Sequence, residues 1–208
     1  LLSFIGRERE VKGLLQVDHS KKSALTAIYG RRRVGKTALV EHAFSNVPLF
    51  KFEGIENREE AHQREYFRAA LVQHFQDSQL ALLDVSSWLP LLQALSNCLG
   101  ERPSVIFFDE YQCLATESNA LTSELKFAWD NFFLKKNRVH LILCGSISSF
   151  IVKEVIRSKA LYGRIDTFID LQPLSLPDST VRFFTNQTPS TWCDIACVIR
   201  TCDFMRDL

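Results

Sequence analysis

The hydrophobic positions of the chain alternate between short continuous apolar runs and longer stretches with helical spacing. Continuous apolar runs are typical of strands buried on both faces, whereas apolar positions three and four residues apart predict amphipathic helices. The runs predict strands at Ala24–Tyr29, Leu49–Phe52, Ser104–Phe108, Val139–Cys144 and Thr167–Leu171. The helical stretches are Leu2–Gln16, Gly35–Ala43, Asn57–Phe75, Leu89–Leu99, Leu121–Leu134 and Phe150–Ile156. Because strands alternate with helices, we predict an α/β fold, with a central parallel sheet of about five strands flanked by helices.

Two of the predicted helices have a well-defined inward face. The third helix begins with Asn57, a favourable N-cap residue, and its inward positions are Phe67, Leu71 and Phe75. The fifth helix has its inward positions at Leu121, Leu125 and Phe132. These apolar faces predict that both helices pack against the sheet.

Composition narrows the class of protein without identifying a partner. Hydrophobic residues make up 46% of the 208 residues and charged residues 24%, which argues against disorder and allows a full core. The net charge of +1 gives no overall excess that would indicate nucleic acid or a membrane surface. No apolar run approaches the roughly 18–20 residues of a membrane span, and the opening residues 1–13 lack the apolar core of a signal peptide. We therefore expect a cytoplasmic protein with no membrane partner.

The six cysteines favour reduced thiols over a metal site. No pair has the spacing C-x-x-C, which is common among zinc ligands. Cys193, Cys197 and Cys202 cluster near the end of the sequence, but no histidine follows Trp192 to complete a ligand set.

The segment between the first strand and the second helix matches the phosphate-binding pattern G-x-x-x-x-G-K-[ST]. It reads Gly30-Arg31-Arg32-Arg33-Val34-Gly35-Lys36-Thr37 and is followed by Ala38. Glycines let main-chain N–H groups fold around an anion at a helix N-terminus, the lysine reaches the β- and γ-phosphates, and the hydroxyl coordinates Mg²⁺. We predict that residues 30–38 bind a nucleotide. Arg31, Arg32 and Arg33 raise the local positive potential, although they could equally be solvated loop residues.

The third strand ends in two carboxylates, Asp109 and Glu110. An acid at this end of a buried strand fits the Walker B role, in which Asp109, with Thr37, would hold Mg²⁺. Glu110 is the natural general base for polarising water, which favours hydrolysis over phosphoryl transfer to a second substrate. A strand that simply ends at a solvated turn would leave the same pattern. No N-K-x-D motif of a GTPase is present, so ATP is favoured over GTP.

Five motifs together resemble the AAA+-like P-loop ATPase domains of a prokaryotic family described as predominantly archaeal, which is grouped with the STAND-type NTPases. The similar segments are Phe4–Glu8, Gly30–Thr37 (Walker A), Phe108–Gln112 (Walker B), Leu143–Ser146 and Leu161–Arg164, and Leu171–Ser175 is similar to the segment that follows the sheet in this family. The resemblance covers about residues 4–184. It implies a domain over residues 1–184 and an irregular or truncated tail over 185–208, with the helical lid of the family apparently missing or truncated.

The resemblance also implies roles for residues outside the two main motifs. Phe4, Ile5 and Gly6 would lie against the adenine, and Ser146 would sense the γ-phosphate or the attacking water. Arg164 would act in trans on the γ-phosphate of a neighbouring subunit, which implies a homo-oligomer. Two simpler alternatives remain open: Ser146 is an ordinary turn residue, or Arg164 pairs on the surface with Asp166 or Asp170.

Three functions are consistent with these residues. The first is Mg²⁺-dependent ATP binding and hydrolysis, with Lys36, Glu110, Ser146 and Arg164 as catalytic residues, which drives a conformational change in a partner or a lost C-terminal domain. The second is a nucleotide-dependent switch with little turnover. The third is a nucleotide or metabolite kinase. The sequence does not specify the client, which could be a nucleic acid or a protein.

Overall fold

The computed structural model describes residues 6–18, 23–100, 102–115, 120–136, 138–146, 150–156, 161 and 163–174. The chain divides into two units, one of residues 7–173 and the other of residues 1–6 and 174–208. Of the second unit, the structure describes Gly6 and Leu174. The predicted tail over 185–208, with its three cysteines, lies outside the described residues, so the predicted domain boundary stays a prediction.

Five parallel strands form the sheet of the larger unit. They are β1 (Ala24–Tyr29), β2 (Leu49–Glu53), β3 (Ser104–Asp109), β4 (Val139–Gly145) and β5 (Thr167–Asp170), in the order β2-β3-β4-β1-β5. Every residue of β3 and β4 is buried, as the continuous apolar runs predict. The predicted α/β fold with a five-stranded parallel sheet is confirmed. Because all strands run the same way, the loops after β1, β3 and β4 emerge at one edge of the sheet.

Six α-helices are described, one before β1 and five between β1 and β4. They are α1 (Glu8–Asp18), α2 (Lys36–Ala43), α3 (Glu60–Phe75), α4 (Leu89–Cys98), α5 (Tyr111–Leu114) and α6 (Ala120–Ala128). A 3₁₀ turn spans Ser78–Leu82, and two π-helical turns span Trp129–Phe133 and Ile151–Ile156. The described residues contain no helix that is both long enough and apolar enough to cross a membrane.

An aromatic cluster holds α3 against β2 and β3. The Phe67 ring meets that of Phe52 edge-on, with 4.8 Å between the ring centroids, and stacks on Phe108 at 5.8 Å. The fully buried Trp88 lies edge-on to the same ring at 5.7 Å. Such aromatic pairs contribute about 0.5–1.5 kcal/mol each beyond the area they bury. Because Phe108 directly precedes Asp109, this packing fixes the end of β3 where the two carboxylates emerge.

Two details of the predicted helices are wrong. Asn57 has a positive φ of 58° within a turn, and Glu59 is the N-cap residue of α3 without a side-chain cap bond. In the helix after residue 120, Leu121 and Leu125 are buried as predicted, but Phe133 is fully buried while Phe132 is only partly buried. The Leu134 N–H donates to the Trp129 carbonyl five residues earlier, at 2.9 Å. This π turn rotates the following side chains away from the α-helical register.

His140, on β4, is a buried histidine of the core. Its Nε2 lies 2.8 Å from the Thr26 Oγ1 on the neighbouring β1, and its Nδ1 has no hydrogen-bond partner within the described ranges. Its ring meets Phe44 edge-on. Burial lowers the pKa of His140 from 6.5 to about 4, because the cationic form would lose its hydration.

We expect acid to destabilise the protein through His140. The unfolded chain takes up a proton near pH 6.5, whereas the folded chain does so only near pH 4. The stabilising effect of neutral His140 is therefore complete above pH 6.5 and is lost as the pH falls towards 4. At pH 5 the loss should be about 2 kcal/mol in the free energy of unfolding. Urea titrations at pH 7.5 and pH 5 of the wild type and of His140→Gln, which cannot titrate, measure this difference. Equal losses in both proteins would show that His140 does not contribute.

Candidate functional site

The loop after β1 forms a concave turn through three residues with positive φ. These are Gly30 at 154°, Arg33 at 65° and Gly35 at 88°, and Gly35 is the N-cap residue of α2. A Cβ atom on Gly30 would lie 2.3 Å from the Leu171 carbonyl oxygen, so the start of the loop requires glycine for space as well as for conformation. Main-chain N–H groups at such a helix N-terminus form a binding site for anions.

Lys36 lies inside this loop with only 6% of its surface exposed. Its Nζ donates to the Gly30 carbonyl at 3.0 Å and to the Arg31 carbonyl at 2.8 Å. Within the described part of the chain, no carboxylate lies within ion-pair distance of this ammonium group. The described partners of this buried cation are neutral carbonyl groups, so its positive charge is not balanced. An anion bound in the loop would balance it.

The other loop residues add positive charge and main-chain groups around the Lys36 ammonium group. Arg31, Arg32 and Arg33 are all exposed, and Arg32 makes an exposed ion pair with Glu56 at 3.4 Å. Val34 is partly buried and Ala38, on the first turn of α2, is exposed. The exposed guanidinium groups raise the potential around the loop, and an ion pair this exposed contributes little to stability.

Arg7 connects the loop to the segment after β5. Its guanidinium donates to the Val34 carbonyl at 3.2 Å and to the Gln172 carbonyl at 2.5 Å. Arg7 has a positive φ of 67°, and its side chain is 92% buried, with Glu10 as its ion-pair partner at 3.3 Å. Arg7 belongs to the Phe4–Glu8 motif, but nothing in the sequence predicts a role for it. In the structure it holds the outer side of the phosphate loop in place.

Thr37 and Asp109 meet at the sheet edge, although 72 positions separate them. The Thr37 Oγ1 donates to the Asp109 Oδ2 at 2.6 Å, and the Glu110 N–H donates to the Asp109 Oδ1 at 3.0 Å. Asp109 is 3% exposed. A hydroxyl and a carboxylate are the oxygen donors that Mg²⁺ prefers, and one or two protein ligands suffice when substrate phosphates and water supply the rest. The described residues include no cluster of three or more metal-ligating His, Cys, Asp or Glu side chains. The pair therefore fits a magnesium site that is shared with a phosphate ligand.

Cys144 is a further neighbour of Asp109 that the sequence analysis does not identify. It lies on β4, which separates β1 from β3 in the sheet, and it is fully buried. Burial, and then the nearby Asp109 carboxylate, raise the pKa of the Cys144 thiol well above its usual range. The thiol therefore stays protonated and gives Asp109 a neutral, weakly hydrogen-bonding neighbour.

Glu110 turns away from β3 in a left-handed conformation, with φ 46° and ψ 47°. Its Oε2 accepts hydrogen bonds from the Ser146 Oγ, at 2.9 Å, and from the Gln112 Nε2. The same Gln112 Nε2 lies 3.0 Å from the Ser146 Oγ. The structure thus brings Glu110 together with Ser146, and adds Gln112, which the sequence analysis quotes in a motif without a role. A non-glycine residue in this conformation costs about 1 kcal/mol or more and is typical of functional sites.

A cleft of about 450 Å³ opens beside Glu110. Its lining residues are Arg32, Glu53, Gly54, Ile55, Glu56, Glu110 and Cys113. Burial, followed by the negative charge of Glu110, raises the pKa of the Cys113 thiol, so this cysteine is not an activated nucleophile.

Arg164 forms an ion pair with Asp130, in the π turn after α6. Its Nε donates to one oxygen of Asp130 at 2.7 Å and its Nη2 to the other at 2.8 Å. The described ion-pair partner of Arg164 is therefore Asp130 and not Asp166 or Asp170, and Asp166 accepts the Leu25 N–H at 2.9 Å. The Arg164 hydrogen bonds lower the pKa of the Asp130 carboxyl. The pairing with Asp130 requires the fold, because 34 positions separate the two residues.

Of the three residues predicted to lie against an adenine, Phe4 and Ile5 lie outside the described residues. Gly6 is described, with a φ of 79°, and belongs to the smaller unit of residues 1–6 and 174–208. A Cβ on Gly6 would meet the Leu174 side chain of the same unit at 3.2 Å. The predicted contact with an adenine stays a prediction.

Comparison with known proteins identifies the family. A family model described as an ATPase domain predominantly from Archaea matches residues 4–203. The uncharacterized protein MJECL04 of Methanocaldococcus jannaschii is 30% identical over 172 residues, which make up 82% of this chain and 36% of that protein.

Similar solved structures include the Walker-type ATPase PABY2304 of Pyrococcus abyssi. Its TM-score is 0.60 at 21% identity, with 89% of this chain and 60% of that one covered. The ORC2 protein of Aeropyrum pernix, solved in ADPNP–ADP complexes, gives 0.58 at 16%, with 89% and 53% covered. These likenesses show the P-loop ATPase fold, and the chain spans only a third to about 60% of the length of these proteins. With its family model matched over nearly the whole sequence, the chain belongs to the family of ATPase domains that are found predominantly in Archaea.

Proposed function

We propose that this domain binds Mg²⁺–ATP and hydrolyses it, and that the change of nucleotide state drives a conformational change in a partner or in a further part of the protein. The observation that carries the proposal is the buried Lys36 ammonium group, which has no described counter-ion and lies in a loop joined to Asp109 through Thr37. A triphosphate supplies the missing negative charge. Membership of an ATPase-domain family supports the same substrate.

Each residue of the site then has a distinct part in the reaction. Lys36 and the main-chain N–H groups of residues 30–38 hold the phosphates, and they face the charge that develops during transfer. Thr37 and Asp109 would hold Mg²⁺, which when bound supplies positive charge against the β- and γ-phosphate oxygens. Glu110 accepts a proton from the attacking water, with the carboxylate held through its Oε2. Ser146 contacts this base and is in a position to respond to the γ-phosphate or the water.

A nucleotide-dependent switch with little turnover is a second candidate function. The observation that favours it is the Arg164–Asp130 ion pair, since two described guanidinium contacts go to a carboxylate of the same chain. In that state Arg164 is not available to a neighbouring subunit. Arg164 acting in trans in a homo-oligomer remains part of the main proposal and requires this ion pair to open. The client, a nucleic acid or another protein, is not specified by the residues of this site.

One pair of measurements on the wild-type protein tests the proposal. Isothermal titration of Mg²⁺–ATP should show binding, and phosphate release should follow with the same preparation. A rate per subunit that rises with protein concentration would support arginine fingers supplied between subunits. Binding with negligible release at every concentration would support the switch instead. The absence of heat from ATP binding would contradict both.

A further inference from the structure

Gln112, on the short helix α5, contacts both polar side chains of the proposed hydrolytic centre. Its amide nitrogen donates to the Glu110 Oε2 and lies 3.0 Å from the Ser146 Oγ. Both described side-chain bonds of Glu110 go to Oε2, and among the described residues none is found at Oε1. One carboxylate oxygen is therefore fixed, while the other is left to accept a hydrogen bond from water.

The other end of the same amide is buried without a partner. The Gln112 Oε1 has no hydrogen-bond partner within the described ranges, and a Cβ on Gly145 would lie only 2.6 Å from it. Turning the amide over would bring its oxygen against the Glu110 carboxylate, with repulsion on both sides. The observed orientation therefore leaves one polar atom unsatisfied, which costs about 1–3 kcal/mol, while directing the donor to Glu110.

Packing does not require a polar residue at this position. Tyr111 and Leu114 of the same helix are fully buried and anchor it to the core. The described polar contacts of Gln112 are those to Glu110 and Ser146. An unsatisfied buried atom retained beside a left-handed, strained glutamate indicates that the donor serves the site and not the stability of the fold.

We propose that Gln112 is a positioning residue for hydrolysis: its amide N–H group fixes the Glu110 carboxylate so that the free oxygen faces the attacking water. This role rests on the proposed function, because it acts only through Glu110. In this role Gln112 acts on the carboxylate and not directly on the phosphates or the water. Its loss should lower kcat without weakening the binding of ATP.

Gln112→Met tests the role, since methionine keeps the length and flexibility of the side chain but removes both the donor and the unsatisfied oxygen. We expect kcat for phosphate release to fall about ten- to a hundredfold, the usual loss when a supporting hydrogen bond to a reactive group is removed. The Kd for Mg²⁺–ATP should stay within about twofold, and Tm should be equal or higher, because a buried unsatisfied atom is lost. Gln112→Glu, which places a second carboxylate against Glu110, should lower kcat at least as much.

The same substitution in a Glu110→Gln background separates positioning from a structural role. If Gln112 acts through Glu110, Gln112→Met should change the residual rate of that background by less than about twofold. A similar fall in both backgrounds, or an unchanged kcat in the Glu110 background, would overturn the role of Gln112. If Glu110→Gln alone leaves kcat unchanged, the proposed function of Glu110 fails and the role of Gln112 fails with it. If the wild-type protein binds ATP but releases no phosphate, the proposed hydrolysis fails, and the role of Gln112 fails with it.

Discussion

Replacing Glu110 with glutamine is expected to lower kcat for ATP hydrolysis about 10²- to 10³-fold, the usual contribution of a general base. Glutamine keeps the shape of the side chain and can still accept the hydrogen bond from Ser146, but it cannot take a proton from water at neutral pH. The phosphate loop and the Thr37–Asp109 pair do not depend on the Glu110 side chain. The Kd for Mg²⁺–ATP should therefore stay within about twofold, because binding and proton transfer involve different residues.

Glu53→Gln provides a matched control for this prediction. Glu53 ends β2, lies in register with Asp109 on the neighbouring strand and lines the same cleft, but it makes no described contact with Glu110. Glu53→Gln removes the same negative charge as Glu110→Gln, from another residue of the same cleft. Equal falls of kcat in the two variants would assign the effect to the local potential rather than to proton transfer. Single-turnover measurements with limiting ATP check that the fall lies in the chemical step and not in product release.

The sequence predicts best where a short segment determines its own structure. The five strands follow from apolar runs, and the phosphate loop follows from glycines at the positions where the chain takes positive φ. The carboxylate Asp109 is predictable in the same way, because it follows directly on the apolar run of β3. Its contact with Thr37 follows from the parallel sheet, in which the ends of β1 and β3 reach the same edge.

What the sequence does not predict depends on contacts between distant segments or on a local change of helical register. The pairing of Arg164 with Asp130 requires the π turn after α6, and a periodicity of 3.6 residues cannot foresee a turn with one additional residue. The burial of Phe133 instead of Phe132 has the same cause. The sequence around Gln112 does not predict a role for this residue. Its role depends on where α5 places the amide group relative to Ser146, which follows β4.

Three local energetic costs lie at the same edge of the sheet. Lys36 is buried without a described counter-ion, Glu110 has a strained backbone and Gln112 retains an unsatisfied oxygen. Elsewhere the described core is mostly apolar and aromatic, although the buried His140 Nδ1 also lacks a described partner. The coincidence of three such costs at one edge of the sheet directs attention to that edge as the functional site. For Lys36 and Gln112 we expect ATP binding or activity to fall while stability does not, and for Glu110 we expect activity to fall while ATP binding does not.

Lys36→Ala is expected to weaken Mg²⁺–ATP binding at least about 100-fold, which corresponds to about 2.7 kcal/mol. The ammonium group lies within the loop at 2.8 and 3.0 Å from two carbonyl oxygens, and its charge has no described counter-ion. In the folded protein without nucleotide, its burial is a cost and not a benefit, because neutral carbonyls only partly replace the water it loses. Tm should therefore be unchanged or slightly raised in the alanine variant.

Lys51→Ala is the control, since Lys51 lies on β2 and makes an exposed ion pair with Glu41 at 2.9 Å. Removing this charge should change the affinity for Mg²⁺–ATP less than about threefold, because charges exposed to solvent are well screened. Calorimetric titration at two salt concentrations separates the two contributions: a direct contact persists at high salt, whereas a long-range field fades. If Lys36→Ala binds Mg²⁺–ATP as tightly as Lys51→Ala does, the loop is not the phosphate site. The roles proposed for Thr37, Asp109 and Glu110 would then lose their common basis, since all three depend on a triphosphate held by this loop.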